Sequence, residues 1–376
     1  MKLSSFLPVA LLSSTIRASP STTVIPPTPV PQLSDVTWRS DVTGFDAPKV
    51  SPVNATTWDW WYFDAIQSPA PAGERASVVV IFYTATAGGF DLLGTFASAG
   101  YTSLTLVETE VTWPNGTTNS YLFNSTEATI TALGNGASGV YESLIGTASF
   151  NGTPDMSRYR VDLHSPLVAG SVILDSVTPP HYPCGPAVAG QNLQVAPHIG
   201  WANAIPSANA EVQLNVQGEE LAFTGLGYHD KNWGDQNFAS NVGSWYWGHG
   251  RLGDYTVVWF DLLSPHRENY VSAYVARGNE VIAAQCSGIT VRPYGENSEY
   301  PPLLTTGHPT GFNITIALPL EGKLLSFLAT GEHYISGGPG RHVYTRWSGS
   351  LQGNIDGEDL SGETIFEQFK LFSETE

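Results

Sequence analysis

Three stretches of the chain concentrate side chains able to do chemistry. Gly227 to Phe238, "GYHDKNWGDQNF", sets a histidine, an acid, a lysine and a tryptophan within five residues. On a strand, His229, Lys231 and Trp233 share one face and Tyr228, Asp230 and Asn232 the other. An imidazole, an ammonium and an indole on one wall would make the polar end of an apolar pocket. Gly227 and Gly234 are turn signals, so a solvated hairpin with one anchoring tryptophan has the same pattern.

The second stretch is Thr57 to Ala65, "TWDWWYFDA". Alternation puts Trp58, Trp60, Tyr62 and Asp64 on one side and Asp59, Trp61 and Phe63 on the other. Both sides are aromatic, so both must be covered, either by plain core with Asp59 at a turn or by a ligand cavity. The third, Trp245 to Leu263, reads as strand, glycine-rich turn, strand, with Trp245, Trp247 and His249 on one side and Val257, Trp259 and Asp261 on another. An acid inside an apolar strand pairs, protonates or reacts. For Asp261 the structural alternative is pairing with Arg251 or Lys231.

Other chemistries lack their marks. There is no P-loop, no Gly-x-Ser-x-Gly elbow and no His-Glu-x-x-His, and the histidines are not spaced as metal ligands, so no metal is expected. "SGGPGRH", Ser336 to His342, reads as a loop rather than a phosphate cradle. With 16 basic against 34 acidic residues the net charge is −18, which repels nucleic acid and anionic lipid.

The elements that must position these residues are strands. Charged residues are only 13%, while 38 glycines and 26 prolines punctuate β-type runs. Ala76 to Ala85 is wholly apolar. Ser103 to Trp113, Glu211 to Gly218 and Phe312 to Leu320 alternate with period two. The expected organisation is a secretory signal over 1–18, a proline- and threonine-rich leader over 19–45, extended or disordered, and two β domains over 46–205 and 206–376. The Pro/Gly-dense segment Val177 to Ala210 is expected to connect the domains or to loop over a cleft. No stretch after the signal is apolar for long enough to span a bilayer as a helix. Sequons at Asn54, Asn115, Asn124, Asn151 and Asn313 fit glycosylation in the secretory pathway, where Cys184 and Cys286 would form one disulfide or remain two buried thiols.

Taken together the three stretches resemble the fungal natural-product Diels-Alderase family, related to bacterial carotenoid 1,2-hydratases, from about Asp46 to Phe372. The resemblance implies an all-β fold of two lipocalin-like antiparallel barrel or sandwich domains, with a substrate cavity near their junction and His229, Lys231 and Trp233 beside it. Where those relatives carry Glu before Trp-Trp-Tyr, this chain has Asp59; where the hydratases have His-Asp-His-Asn-Trp-Gly, the third place is Lys231; where they place Tyr two residues before a catalytic Asp, Trp259 precedes Asp261.

Two mechanisms follow, neither requiring a cofactor. In an intramolecular [4+2] cyclisation of a polyene, the cavity supplies shape. Lys231, Tyr62 or Tyr228 would donate to the dienophile carbonyl, and Trp60, Trp61, Trp233 and Trp247 would wall the site. In acid catalysis, Asp261 or Asp59 would protonate an alkene, epoxide or tertiary alcohol, and tryptophan faces would steady the cation. The non-enzymatic alternative is a secreted carrier of a small apolar metabolite.

Overall fold

β-Branched and aromatic residues repeating every second position force strand after strand, and the chain answers with two large antiparallel sheets. The computed structural model describes residues 20–340, 342–355 and 357–373. The expected signal segment lies outside them.

The first sheet runs, in spatial order, Ser21–Ile25, Glu127–Leu133, Gly136–Ser143, Gly146–Gly152, Arg158–His164, Val168–Ser176, Ile199–Val216, Glu219–Gly234, Trp58–Gln67, Ser77–Ala85, Thr105–Thr112 and Thr118–Asn124. It curls on itself, because Trp61 and Phe63 of one strand meet Phe150 five positions away, each at 5.4 Å between ring centroids. The second sheet runs Glu280–Gln285, Asn269–Arg277, Tyr255–Leu263, Ser244–Leu252, Glu358–Lys370, Tyr344–Ile355, Lys323–Ser336, Gly311–Leu318 and Ile289–Tyr294. It curls too: Arg292 on one edge strand pairs with Asp261, near the opposite edge, at 2.9 Å. Both are lipocalin-like, so the all-β reading holds.

Each sheet encloses its own core, and a third apolar cluster fills the junction between them. The Trp58–Gln67 strand serves two cores at once. Trp61, Phe63 and Ala65 point into the first sheet's interior, whereas Trp58, Trp60, Tyr62 and Ile66 point into the junction. Each such side chain contributes on the order of 2–3 kcal/mol by burial. A one-residue slip would exchange the two sets, so the register is fixed.

Two expectations need revision, and a third, the extended or disordered leader, is met in its extended form. The boundary between 205 and 206 falls inside Ile199–Val216; the sheets divide after Gly234, because the long hairpin of Ile199–Val216 and Glu219–Gly234 pairs on to Trp58–Gln67. In the leader, Ser21–Ile25 is ordered as an edge strand on Glu127–Leu133, a place its β-branched residues suit. The connector is confined to roughly Val177–Gln194. It packs on the second sheet, where the hydroxyl of Tyr274 donates to Pro179 O and Cys184 is disulfide-bonded to Cys286.

Candidate active site

Side chains on the junction face of the first sheet stand in cross-strand rows. Asp230, Tyr62, Ile81 and Glu108 form one row; Asn232, Trp60, Tyr83 and Leu106 the next on one side; and Tyr228, Asp64, Val79 and Glu110 the next on the other. The facing wall comes from the second sheet, with Trp247, Glu367, Arg346 and Ser336 in one row and Trp245, Phe369 and Tyr344 in another. Between the walls lies a cavity of about 400 Å³. Its remaining sides come from the segment around the short helix Leu93–Ser98, through Phe90, Leu92, Thr95 and Phe96, and from the glycine-rich loop at Gly337, His342 and Val343.

The cavity is aromatic with one charged corner. Arg346 bonds Glu110 at 3.0 Å and Glu367 at 3.0 Å, and its guanidinium lies 4.8 Å from the Tyr62 ring centroid. Glu367 also accepts from Trp245 Nε1 and the Tyr344 hydroxyl. Among the described residues no cation contacts Glu108. Its Oε2 accepts the Tyr83 hydroxyl at 2.9 Å, and Oε1 has no protein partner among the described residues. Burial, reinforced by the neighbouring Glu110 charge, pushes Glu108 up to about 8, against the opposing pull of Arg346 and Tyr83. Burial likewise raises Glu110, opposed first by Arg346. Asp230 is pushed up to about 7 by burial, against the bonds it accepts from Trp201 and Tyr228. Burial thus shifts Glu108, a cavity-lining carboxyl with Oε1 unpaired among the described residues, toward its acid form.

Behind the wall, Tyr62 donates to Asp64 Oδ2 at 2.7 Å, and His249 Nε2 from the second sheet meets the same oxygen at 2.8 Å. This contact ties the sheets together beneath the cavity floor.

The residues singled out from sequence divide between three places. Trp60, Tyr62 and Trp247 line the cavity, and Tyr228 sits directly behind it, its hydroxyl donating to Asp230 at 2.7 Å. Asp59, His229, Lys231, Trp61 and Trp233 lie inside the first sheet's own core. There Lys231 pairs with Asp59 at 2.8 Å, 4.0 Å above the Trp61 ring, and His229 meets Asp46 at 3.1 Å. Asp261 and Trp259 belong to the second sheet's interior, where Asp261 binds Arg292, Asn269 and Tyr300. The alternation of "GYHDKNWG" is as expected, but the face turned to the cavity is the one carrying Asp230 and Asn232. Glu108, Glu110, Arg346 and Glu367 were not singled out. Glu108 and Glu110 did have a signal, two acids at i, i+2 in the apolar run "LTLVETEV", the same criterion that drew attention to Asp261.

Fold and cavity together define a class: a lipocalin-like two-sheet protein with an aromatic cavity at the sheet junction and a buried carboxyl, Glu108, raised toward its acid form in the cavity wall. Residues 27–292 match the Diels-Alderase-like family, and the chain belongs to it. It is 34% identical to the quinolone epoxide rearrangement protein asqO of Emericella nidulans over 87% of each chain, and 31% identical to the Diels-Alderase phmD of Phaeosphaeria nodorum over 50% of each. The crystal structure of CghA with Sch210972 shares its fold, with a TM-score of 0.71 at 19% identity over 94% of this chain and 99% of that one. The protein is an enzyme of the cyclase and isomerase kind, from a family that serves fungal secondary metabolism.

Proposed function

We propose that the junction cavity opens an epoxide on an unsaturated, prenyl-type side chain by general-acid catalysis from Glu108. The proton on Glu108 passes to the epoxide oxygen as the C–O bond to the more substituted carbon breaks, leaving a hydroxyl and a cation. An internal nucleophile captures the cation, or a 1,2-shift relocates it. The proton then released returns to the Glu108 carboxylate, so substrate and product are isomers. The rings of Trp60, Tyr62 and Trp247 face the developing charge.

The observation that carries this reading is Glu108 in the cavity wall, raised to about 8 by burial, with Oε2 held by the Tyr83 hydroxyl and Oε1 unpaired among the described residues. Kinship with an epoxide rearrangement protein over most of the chain supports it. The test is to incubate the purified protein and its Glu108→Gln variant with an epoxide of a prenylated aromatic compound and to follow isomerisation by chromatography. Conversion by the wild type alone is expected; equal conversion by the folded variant would overturn the assignment.

A [4+2] closure of a polyene in the same walls is the second reading, favoured by kinship with Diels-Alderases and by the stiff aromatic surfaces. Shape-driven closure would survive Glu108→Gln with little loss, and so the same variant separates the two.

We further infer passage through the secretory pathway. The N-terminal 18 residues, the Cys184–Cys286 bridge and the exposed sequon asparagines Asn115, Asn151 and Asn313 support it. Asn54 and Asn124 are half-buried, and their amides donate to Gln32 O and Gly100 O. Endoglycosidase treatment of the protein from its own cells should lower its mass.

A further inference from the structure

The mechanism above leaves unused the acid at the other end of the same row. Asp230 and Glu108 are separated by Tyr62 and Ile81, three inter-strand steps, which amounts to roughly 14 Å at about 4.8 Å each. Both acids line the cavity.

Asp230 is only 3% exposed, and its two oxygens are unequal. Oδ2 accepts the indole N–H of Trp201 at 2.8 Å and the hydroxyl of Tyr228 at 2.7 Å. Oδ1 has no protein partner among the described residues. The Trp247 ring stands edge-on to both Tyr62 and Tyr228, at 5.5 and 5.2 Å between centroids, and forms a rigid wall beside the carboxyl. A buried carboxyl with one oxygen fixed by two donors and the other facing a ligand cavity lacks only the donor that a ligand would bring.

We propose that Asp230 Oδ1 accepts a hydrogen bond from an N–H or O–H donor on the head of the substrate, at the end remote from its epoxide. This rests on Glu108 being the acid. With a hydrogen bond at each end, the head donor and the reactive oxygen of the substrate are on the order of 8 Å apart. The pair of acids thus selects substrates by length as well as by head chemistry.

The groups that bear on Asp230 are Tyr228 and Tyr62 on its own and the adjacent strand, His229 beside it on the opposite face, Glu367 and Arg346 across the cavity, and His181 behind Trp201. Burial lowers His181 to about 4, so it stays neutral. Tyr228 and Tyr62 are held protonated by burial. Asp230, raised to about 7, then loses its proton before Glu108, raised to about 8, at the other end of the row.

The test compares binding of 2-naphthol with that of 2-methoxynaphthalene, equal in rings but lacking the donor, by titration calorimetry. At about pH 8 the wild type should prefer the naphthol about tenfold or more, and the preference should shrink at about pH 6, where Asp230 is protonated. In Asp230→Asn the two donors hold the amide oxygen in the Oδ2 position and turn the NH₂ into the cavity, which should abolish or invert the preference. A wild type with no preference at pH 8, or a folded Asp230→Asn that keeps it, would overturn the proposal. The wild-type pH comparison stands even where the variant fails to fold. Glu108→Gln should retain the preference; if it also retains turnover, the acid assignment falls while the head site stands.

Discussion

The Tyr83 hydroxyl donates to Glu108 across neighbouring strands at 2.9 Å, and that bond decides which carboxyl oxygen carries the acid proton. With Oε2 committed as acceptor, the proton resides on Oε1, toward the cavity. Because the active form is the protonated one, kcat/KM should fall as pH rises through about 8. Glu108→Gln should lower kcat by about 10²- to 10⁴-fold, the usual worth of a general acid. Tyr83→Phe removes a bond that favours the carboxylate, so its alkaline limb should move upward. A pH–rate profile unmoved by that substitution would detach Tyr83 from the acid.

The same burial has a consequence for stability. Glu108 and Asp230 are both raised when folded, so the native state binds more protons than the unfolded chain between their ordinary and raised values. Stability is therefore fully present below about pH 4 and is lost progressively as pH rises to about 8. Glu110, raised as well, acts in the same direction. For Glu108 alone the loss is on the order of 5 kcal/mol. Because His181, His308 and Lys49 are lowered by burial and act in the opposite sense, the observable is a difference: from about pH 4 to 8 the wild-type melting midpoint should fall relative to that of Glu108→Gln. Parallel wild-type and Glu108→Gln profiles would contradict the raised acid at Glu108.

The strands were legible because period two survives in the sequence. Trp58–Gln67 and the hairpin Ser244–Leu252 with Tyr255–Leu263 stand where alternation places them. Alternation tells which side chains share a face but is silent on what that face meets. Lys231 and Asp230 are equally buried, and only the docking of the second sheet makes the Asp230 side the cavity. Asp261 satisfied the criterion of an acid in an apolar strand, yet its partner Arg292 is 31 residues away in a stretch with no periodic clue. Arg346 was invisible for a related reason: its partner Glu110 is 236 residues distant. The signal peptide and glycan readings depend on processing, which the fold does not register.

Lys231 and Asp59 form an ion pair sealed inside the first sheet, with Lys231 Nζ also donating to Ala47 O and Lys49 N donating to Asp59. Burial pushes Asp59 up and Lys231 down, each opposed by the charge of the other. Lys231→Met strands a buried carboxyl and should cost about 3–5 kcal/mol in urea unfolding. Naphthol binding in the cavity should be unchanged for the folded fraction, since neither residue lines it. If Lys231→Met instead left stability intact and removed binding, Lys231 would have to reach the ligand by a rearrangement of the core.

Cys184 and Cys286 join the connector to the far edge of the second sheet across 102 residues of chain. Beside the bridge, Ser272 donates to Pro183 O and Tyr274 to Pro179 O, so the connector is already bound where the disulfide closes it. Closing a loop of about 100 residues restricts the unfolded chain by about 4–5 kcal/mol in the entropic account. Neither cysteine touches the junction cavity. Cys184→Ser combined with Cys286→Ser should therefore lower the melting temperature while leaving kcat at low temperature as it was. Dithiothreitol should do the same to the wild type and nothing further to the double variant. If reduction leaves the melting temperature unchanged, the hydrogen bonds and packing of the connector hold the second sheet without the bridge; if it removes activity well below the melt, the bridge sets the spacing of the two cavity walls.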